Sequence, residues 1–597
     1  MARPWCAFLT ILCVLLQSPA VRGAIDPDTL RAKAAAIDAY LVRLEKLGFA
    51  GVLVLESQGQ VVVDRGCGFA DREKQLPWKT TAVSDIGSIT KQFTAAAILR
   101  LQEQGRLRVD DTLAKHIETT PTDKAAITLH HLLTHTSGIV DVPDRDDWDP
   151  VSRDDIVQLT MAAPLATPPG THFAYSNAGY SLLGVVIEKT TGKNYEEALR
   201  ELLFEPAGLR ETGYVLPKWD SERIAVGYQD GARWGTTLER PFASDGPYWI
   251  LRANGGLHST APDMLRWARA LLDDRVLSPS SRAVLWSKHV DESNGSGDSF
   301  YGYGWSIVDL PDGRAVVTHN GGNGIHFADF TILPAERMVA FFMTNVVSEF
   351  YSQPLLEDVR RFILTGVPLP EVPDVQPLGD VSNFLGTYDL QKAGAGGAGF
   401  DVRVDGTALA FDAHSWRDFS RLYGAASVDL DRLEAQSATV DTCVTALLRG
   451  DYGPLHAAYG ARVPIEVVRE RGEMRRRDDE QRYGPLRLHR TLGTLRTSDG
   501  SMTFVRFEHE RGVHHRRYVW SAEGRLRGVS AIRRAAPPCF YRTPEQSFVS
   551  FEVGIPAARI HFAADKGGGI LVELGADAWY RNRKLAGIRH VVPGKDQ

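Results

Sequence analysis

Asp85-Ile86-Gly87-Ser88-Ile89-Thr90-Lys91-Gln92-Phe93-Thr94-Ala95-Ala96-Ala97-Ile98-Leu99 is the stretch from which the rest of the chain can be read. Gly87 breaks regular structure and Ser88 is a favourable helix N-terminal residue. Thr94 to Leu99 is apolar on every side, as in a helix buried in a core. Residues three apart share a helical face, so the Ser88 hydroxyl and the Lys91 ammonium are neighbours at the start of that helix. A serine hydroxyl is a poor nucleophile until a base takes its proton. Lysine serves as that base only where burial and neighbouring cations depress its pKa. The free N–H groups and partial positive charge of a helix N-terminus suit a developing oxyanion. The same residues also fit a capping serine with a solvated lysine one turn on, so the motif needs partners elsewhere in the chain.

Length and composition narrow the setting. A chain of 597 residues implies more than one domain, and 43% hydrophobic with 24% charged residues is the balance of a soluble globular protein. Residues 1–23 read as a signal peptide: Arg3, an apolar run from Ala7 to Leu16, and a cleavage site after Gly23 in Val21-Arg22-Gly23-Ala24. That predicts a secreted or periplasmic protein, with a retained N-terminal anchor as the alternative. The run is too short for a stable membrane span. The formal net charge is −6, and about −8 once a leader carrying Arg3 and Arg22 is removed, which recruits neither nucleic acid nor an anionic membrane. Outside the leader the cysteines are Cys67, Cys443 and Cys539. At most one disulfide can form among them, Cys443–Cys539 being the favoured pair; three free thiols fit equally well.

Along the chain, Pro27 to Leu47 reads as an amphipathic helix, and Gly51–Leu55 with Val61–Arg65 as a hairpin around Gln58-Gly59. The Ser88 helix stops at Gly105. His131 and His135 are four apart on a predicted helix, but the third ligand and general-base glutamate of a zinc protease are missing, so a helix end is expected and no metal. Pro168-Pro169-Gly170 precedes Tyr175-Ser176-Asn177, which suits a cleft; a second Tyr-x-Asn at Tyr580-Arg581-Asn582, between charged residues, is assigned to the surface. Asn254-Gly255-Gly256 turns into a helix at Ala261. Arg314–Thr318, His326–Leu333 and Met338–Thr344 read as strands, the first two joined by His319-Asn320-Gly321-Gly322-Asn323-Gly324. Pro354–Leu364 is a last amphipathic helix. Strands near both ends with helices between them predict one sheet built from both chain ends, an α/β domain over 24–367.

A proline-rich linker, 368–379, leads to a β-rich region over 380–597. Within it, 430–535 reads as an α+β insertion, with Ala438–Tyr459 helical and an Arg/Glu-rich stretch following. Its arginines, interleaved with acids, predict an ion-paired solvated surface. His509, His514 and His515 are assigned to that surface in preference to a metal site.

Ser88-Ile89-Thr90-Lys91, Leu132-Leu133-Thr134-His135-Thr136-Ser137-Gly138, Tyr175-Ser176-Asn177, Gly255-Gly256 with Ser259-Thr260-Ala261, and His319-Asn320-Gly321 occur in that order. Together they resemble the class C β-lactamase-related serine hydrolases, the penicillin-recognising family of D-alanyl-D-alanine carboxypeptidases, D-aminopeptidases and esterases. The resemblance spans about Ile37 to Leu364. It implies a β-lactamase/transpeptidase-like fold, an antiparallel sheet flanked by helices plus a helical subdomain. The tail resembles an appended lipocalin-like barrel carrying a cystatin- or NTF2-like insertion.

The resemblance further implies Ser88 as nucleophile, Lys91 as its base, and Tyr175 as the proton shuttle to the leaving group. Asn177, His319, Asn320, Gly321 and Gly322 would bind substrate, with the Ser88 and Gly322 N–H groups forming the oxyanion hole. Neither metal nor organic cofactor is implied. The expected activity is hydrolysis of a peptide of D-amino-acid type or of an ester through an acyl-enzyme on Ser88. The alternatives are a β-lactamase or D,D-carboxypeptidase and, from another class, a catalytically idle binding or scaffold protein. One departure matters: His319-Asn320-Gly321 stands where true β-lactamases of this type carry Lys-Thr-Gly. A histidine there predicts a weaker and pH-dependent pull on a substrate carboxylate.

Overall fold

The computed structural model describes residues 26–582 except 143–144, 230–231, 293–296, 298, 311, 347–352, 391–398, 461–462, 498–499, 533–538, 545–546, 551–556, 565–569 and 575–577. The 1–23 leader lies outside these residues.

Helix α1 (Pro27–Lys46) begins at Asp26, whose carboxylate accepts the N–H groups of Asp28 and Thr29. Strands β1 (Gly51–Ser57) and β2 (Gln60–Cys67) then form a hairpin turning on Gln58 and Gly59, both at positive φ. Val52-Leu53-Val54-Leu55 lacks polar alternation because β1 is buried along its whole length. On one face Leu53 and Leu55 meet Leu356, Val359 and Ile363 of the chain's later helix Gln353–Thr365. On the other face Glu56 pairs with Arg269.

The Ser88 segment is a 3₁₀ turn, Gly87–Ile89, running directly into α2 (Thr90–Glu103). Thr90 to Leu99 are all buried, and Phe93 stacks on Trp267 at 4.5 Å between ring centres and meets Phe204 edge-on at 5.5 Å. Truncating a phenylalanine so placed costs about 3–5 kcal/mol. Against α2 packs α3 (Asn177–Thr191), capped by Ser176 and closed by left-handed Gly192. Next come α4 (Ala261–Leu272) and strands β3 (Val290–Asp291), β4 (Phe300–Tyr301), β5 (Ser306–Asp309), β6 (Ala315–Gly322), β7 (Phe327–Leu333) and β8 (Met338–Thr344). The sheet order is β2-β1-β8-β7-β6-β5-β4-β3, antiparallel throughout, so both chain ends meet at the β1–β8 pair. This antiparallel sheet flanked by helices is the arrangement that the resemblance implies.

Two local expectations are corrected. The helix carrying His131 ends at Leu133, and His135 lies beyond it at φ 56°, so the two imidazoles share no helical face. His319 to Gly322 are strand, not connection, and pair with Phe330 to Phe327. Paired glycines suggested a turn; the physical reason for Gly321 is instead the close approach of another backbone.

Between Thr365 and Ser382 the described chain has no regular element. Beyond it, β9 (Gly386–Leu390), β10 (Gly399–Asp405) and β11 (Ala408–Ala413) open an eight-stranded barrel. It is completed by Phe540–Arg542, Phe548–Ser550, Arg559–Ala564, Ile570–Leu574 and Ala578–Asn582, the last pairing back onto β9. The second Tyr-x-Asn lies on that closing strand, on side chains outside the described residues.

Spliced between β11 and Phe540 is an α+β unit. It contains α5 (Leu430–Leu448), α6 (Gly453–Tyr459) and α7 (Ile465–Tyr483), which cover a sheet of β12 (Leu486–Thr497), β13 (Gly500–His509), β14 (Gly512–Ser521) and β15 (Leu526–Ile532). The Arg/Glu-rich stretch is thus a helix, α7. His509, His514 and Arg516 are buried, not superficial, because the strand face that carries them is roofed by the helices; His515 and Arg517, on the opposite face, are buried as well. Cys443 lies in the core of the α+β unit and Cys539 in the large cluster that holds the first domain's core, and no bridge joins them. No described helix is long and apolar enough to cross a membrane.

Candidate active site

Gly87 fixes the geometry. It adopts φ 51°, and a Cβ on it would strike the Gly322 nitrogen and stand 2.6 Å from the Gly321 carbonyl carbon. A Cβ on Gly321 would overlap the Ile86 carbonyl oxygen and the Ser88 nitrogen. Glycine at both positions therefore lets the end of β6 lie directly on the Ser88 turn. The contact is clamped by buried Asp85, which accepts the Gly87 N–H at 2.7 Å and the Asn323 side-chain amide at 3.1 Å. Burial pushes the Asp85 carboxyl up to about 7, against the pull of the Gly87 and Asn323 hydrogen bonds.

Lys91 is fully buried. Its ammonium donates to Ser88 Oγ at 3.0 Å, Asn177 Oδ1 at 2.8 Å and the Asn254 carbonyl at 2.7 Å. Burial drives its pKa down to about 7, an effect opposed by the carboxylates of Asp141 and Asp147. Nζ also lies 4.8 Å from the Tyr175 ring centre. Desolvation raises the Tyr175 phenol above its ordinary value, and a hydrogen bond with the Ser88 side chain opposes this. Tyr175 is 40% exposed as a residue, so water moderates the shift without reversing it. The phenol keeps its proton at neutral pH.

Asn177 is held from behind. Its amide donates to Asp141 Oδ2 at 3.2 Å, while Asp141 Oδ1 accepts the Ala178 N–H at 2.9 Å and the Ser176 hydroxyl at 3.2 Å. Left-handed His135 accepts the Ser176 N–H at 3.1 Å, and its ring lies 4.2 Å from that of Tyr175.

His319 is buried on β6. Its Nδ1 donates to the Asn320 carbonyl at 2.5 Å, the only polarity a carbonyl allows, so Nε2 accepts from the Tyr301 hydroxyl at 3.0 Å. Burial, and then the Lys91 charge, lower its pKa to about 3, opposed by the Asn320 carbonyl. The imidazole is neutral throughout the physiological range, which corrects the expected pH dependence. Asn320 is exposed at the strand edge beside it.

Ser88, Lys91, Tyr175 and Asn177 thus share one site, with Gly321 and Gly322 against the Ser88 turn and His319 set behind Tyr175. Sequence reasoning missed Asp85, Asp141, His135, Tyr301 and the Asn254 carbonyl. His135 stood within the quoted Leu132–Gly138 motif and Asn254 beside Gly255-Gly256, but neither was assigned a role; a main-chain acceptor leaves no side-chain signature. The arrangement can activate a hydroxyl where the backbone of Gly321 and Gly322 lies directly against that of Ser88.

The family model described as Beta-lactamase matches residues 37–361. Penicillin-binding protein 4* of Bacillus subtilis (strain 168) is 28% identical over 411 residues, covering 65% of this chain and 86% of its own. Esterase EstB of Burkholderia gladioli is 26% identical over 382 residues, covering 56% of this chain and 96% of its own. Among solved structures, the octameric penicillin-binding protein homologue from Pyrococcus abyssi superposes with a TM-score of 0.51 at 19% identity, covering 94% of this chain and all (100%) of that one.

Proposed function

The chain belongs to the Beta-lactamase family and is a serine hydrolase, and on that premise we propose that it cleaves an ester or a D-amino-acid-type peptide bond through an acyl-enzyme on Ser88. The observation that carries this reading is the buried Lys91 amine, 3.0 Å from Ser88 Oγ with its pKa brought down to about 7. Neutral Lys91 takes the Ser88 proton as Oγ bonds to the acyl carbon. The carbonyl oxygen, now anionic, is held by the N–H groups of Ser88 and Gly322. Removing one such donor typically costs about 2.7–4 kcal/mol. Collapse expels the leaving group, which takes a proton from Lys91 by way of the Tyr175 hydroxyl. Water then hydrolyses the acyl-serine by the same route in reverse, releasing the acid. Asn177 orients Lys91 and the substrate amide.

The neutral, doubly engaged His319 supplies no cation for a substrate carboxylate. This favours esters and amides over the carboxylate-bearing substrates of a β-lactamase. We propose further that residues 1–23 act as a cleavable leader and that the reaction runs outside the cytoplasm.

Intact mass of the protein after brief exposure to p-nitrophenyl butyrate, with p-nitrophenolate release followed in parallel, tests the reading. One butyryl adduct or a burst in wild type, absent in Ser88→Ala, is expected. Neither adduct nor turnover in wild type would overturn it in favour of an idle binding protein.

A further inference from the structure

We propose that the α+β unit holds a second binding site, for a small amphipathic carboxylate, in the cavity between α5, α6, α7 and the β12–β15 sheet. The cavity measures about 570 Å³, within the range of small-molecule sites. Its wall is apolar over Val444, Leu447, Leu455, Phe507 and Val529. The apolar character continues to the mouth, where Leu488 is 55% exposed and Leu448 is 38% exposed. Large aliphatic side chains left open at the rim of an apolar cavity suit a ligand with a hydrocarbon body.

The other end is polar and cationic. Arg475 is half-buried, donates from Nη2 to the Val529 carbonyl at 3.3 Å, and forms no ion pair among the described residues. Burial lowers its pKa and Arg516 adds to that, a penalty that a bound anion relieves. Arg516 pairs with Asp479, and the lining as a whole carries the guanidinium groups of Arg475, Arg476, Arg487 and Arg516 against the carboxylates of Asp479 and Glu480. His509 is 8% exposed and lines the same cavity; its Nδ1 donates to the Gly484 carbonyl at 2.7 Å and its Nε2 has no partner. A guanidinium has five donors in a planar fork that matches a carboxylate, and Arg475 has donors to spare. A hydrocarbon wall with a spare guanidinium at its end is the complement of an alkyl or aryl carboxylate.

A metal ion is the competing occupant. Asp479, His509 and His514 each place one ligand atom within 4.8 Å of the others, and two imidazoles with a carboxylate suit a transition metal. Yet Asp479 already carries the Arg516 guanidinium, and a dication there would add to a lining in which Arg475 has no ion-pair partner among the described residues. The charge balance therefore favours an anion.

Calorimetric titration of the full chain with sodium octanoate, 1-octanol, octylammonium chloride and zinc chloride tests this. Octanoate is expected to bind at least about tenfold more tightly than the alcohol or the amine, a difference of about 1.4 kcal/mol. Arg475→Gln should remove that advantage, and Leu455→Trp, which fills the apolar end, should weaken octanoate binding. Both variants should keep wild-type p-nitrophenyl butyrate turnover and near-ultraviolet circular dichroism, so that lost binding cannot be lost folding. Equal affinity for octanoate and octanol would overturn the proposal. So would an octanoate advantage that survives both substitutions, which would place binding elsewhere. Zinc binding abolished by His509→Ala, without octanoate binding, would replace the proposal with a metal centre.

Discussion

The Lys91 side chain and the main-chain carbonyl of Asn254 stand 2.7 Å apart, and this contact directs the amine even after it loses its proton. A neutral amine keeps two N–H bonds. Asn254 O and Asn177 Oδ1 at 2.8 Å are both pure acceptors and claim them, leaving the lone pair toward Ser88 Oγ. The carbonyl cannot titrate, so the orientation holds across pH.

Acylation should therefore follow the Lys91 titration. Activity requires the neutral amine, so kcat/KM should rise with pH through a midpoint near 7. Stopped-flow acylation between pH 5 and 9 checks it. A flat profile would remove Lys91 as the base.

Asp141 holds Asn177 by accepting its amide and also raises the Lys91 pKa by its charge. Asp141→Asn cannot accept from all the donors that now converge on Asp141. It should lower kcat by about tenfold to a hundredfold through misplacement, and move the pH midpoint downward. A reduced kcat with an unmoved midpoint would confine Asp141 to a structural role.

The approach of β6 to the Ser88 turn leaves no room for a methyl group. Gly321→Ala should reduce acylation by about a hundredfold or more, since the Gly322 N–H is displaced from the Ser88 turn. Adduct formation by intact mass, with circular dichroism confirming the fold, reads it out. Wild-type acylation would place the oxyanion donors elsewhere.

Asp85 has a folded-state pKa raised to about 7, above its unfolded value. The folded protein therefore binds the extra proton between roughly pH 4 and 7, and the stability this contributes is lost as pH rises through that window. Asp85→Asn, which cannot ionise, should gain in melting temperature relative to wild type from pH 4 to pH 8. It should also slow acylation, because Gly87 and Asn323 donate to different Asp85 oxygens and an asparagine puts an NH2 group in place of one of them. A constant difference in melting temperature across that range would show that Asp85 does not titrate there.

What the sequence disclosed follows from where side chains carry the information. Ser88, Lys91, Tyr175 and Asn177 are legible because the helical spacing of the first pair and the place of the second pair between a Pro-Gly loop and a helix start are local properties. The order of strands at both chain ends likewise revealed the sheet. His319 to Gly322 was read as a connection because glycine serves turns and close approaches alike, and only the fold shows that β6 runs into the Ser88 turn. Asp141 reaches Asn177 from a loop 36 residues away, a distance no periodicity spans. His514, in a strand of alternating polarity, looked superficial until helix α7 covered it.

The placement of the α+β unit has a consequence for assembly of the tail. Leu409 on β11 pairs with Phe540, so the barrel seam joins positions about 130 residues apart. Closing a flexible loop of that size costs about 2 kcal/mol more than closing a ten-residue one. The inserted unit has its own core and can shorten that span by folding first. Folding of that unit before the barrel seam closes, the middle of the tail ahead of its ends, is the expected order, and hydrogen exchange during refolding reads it out.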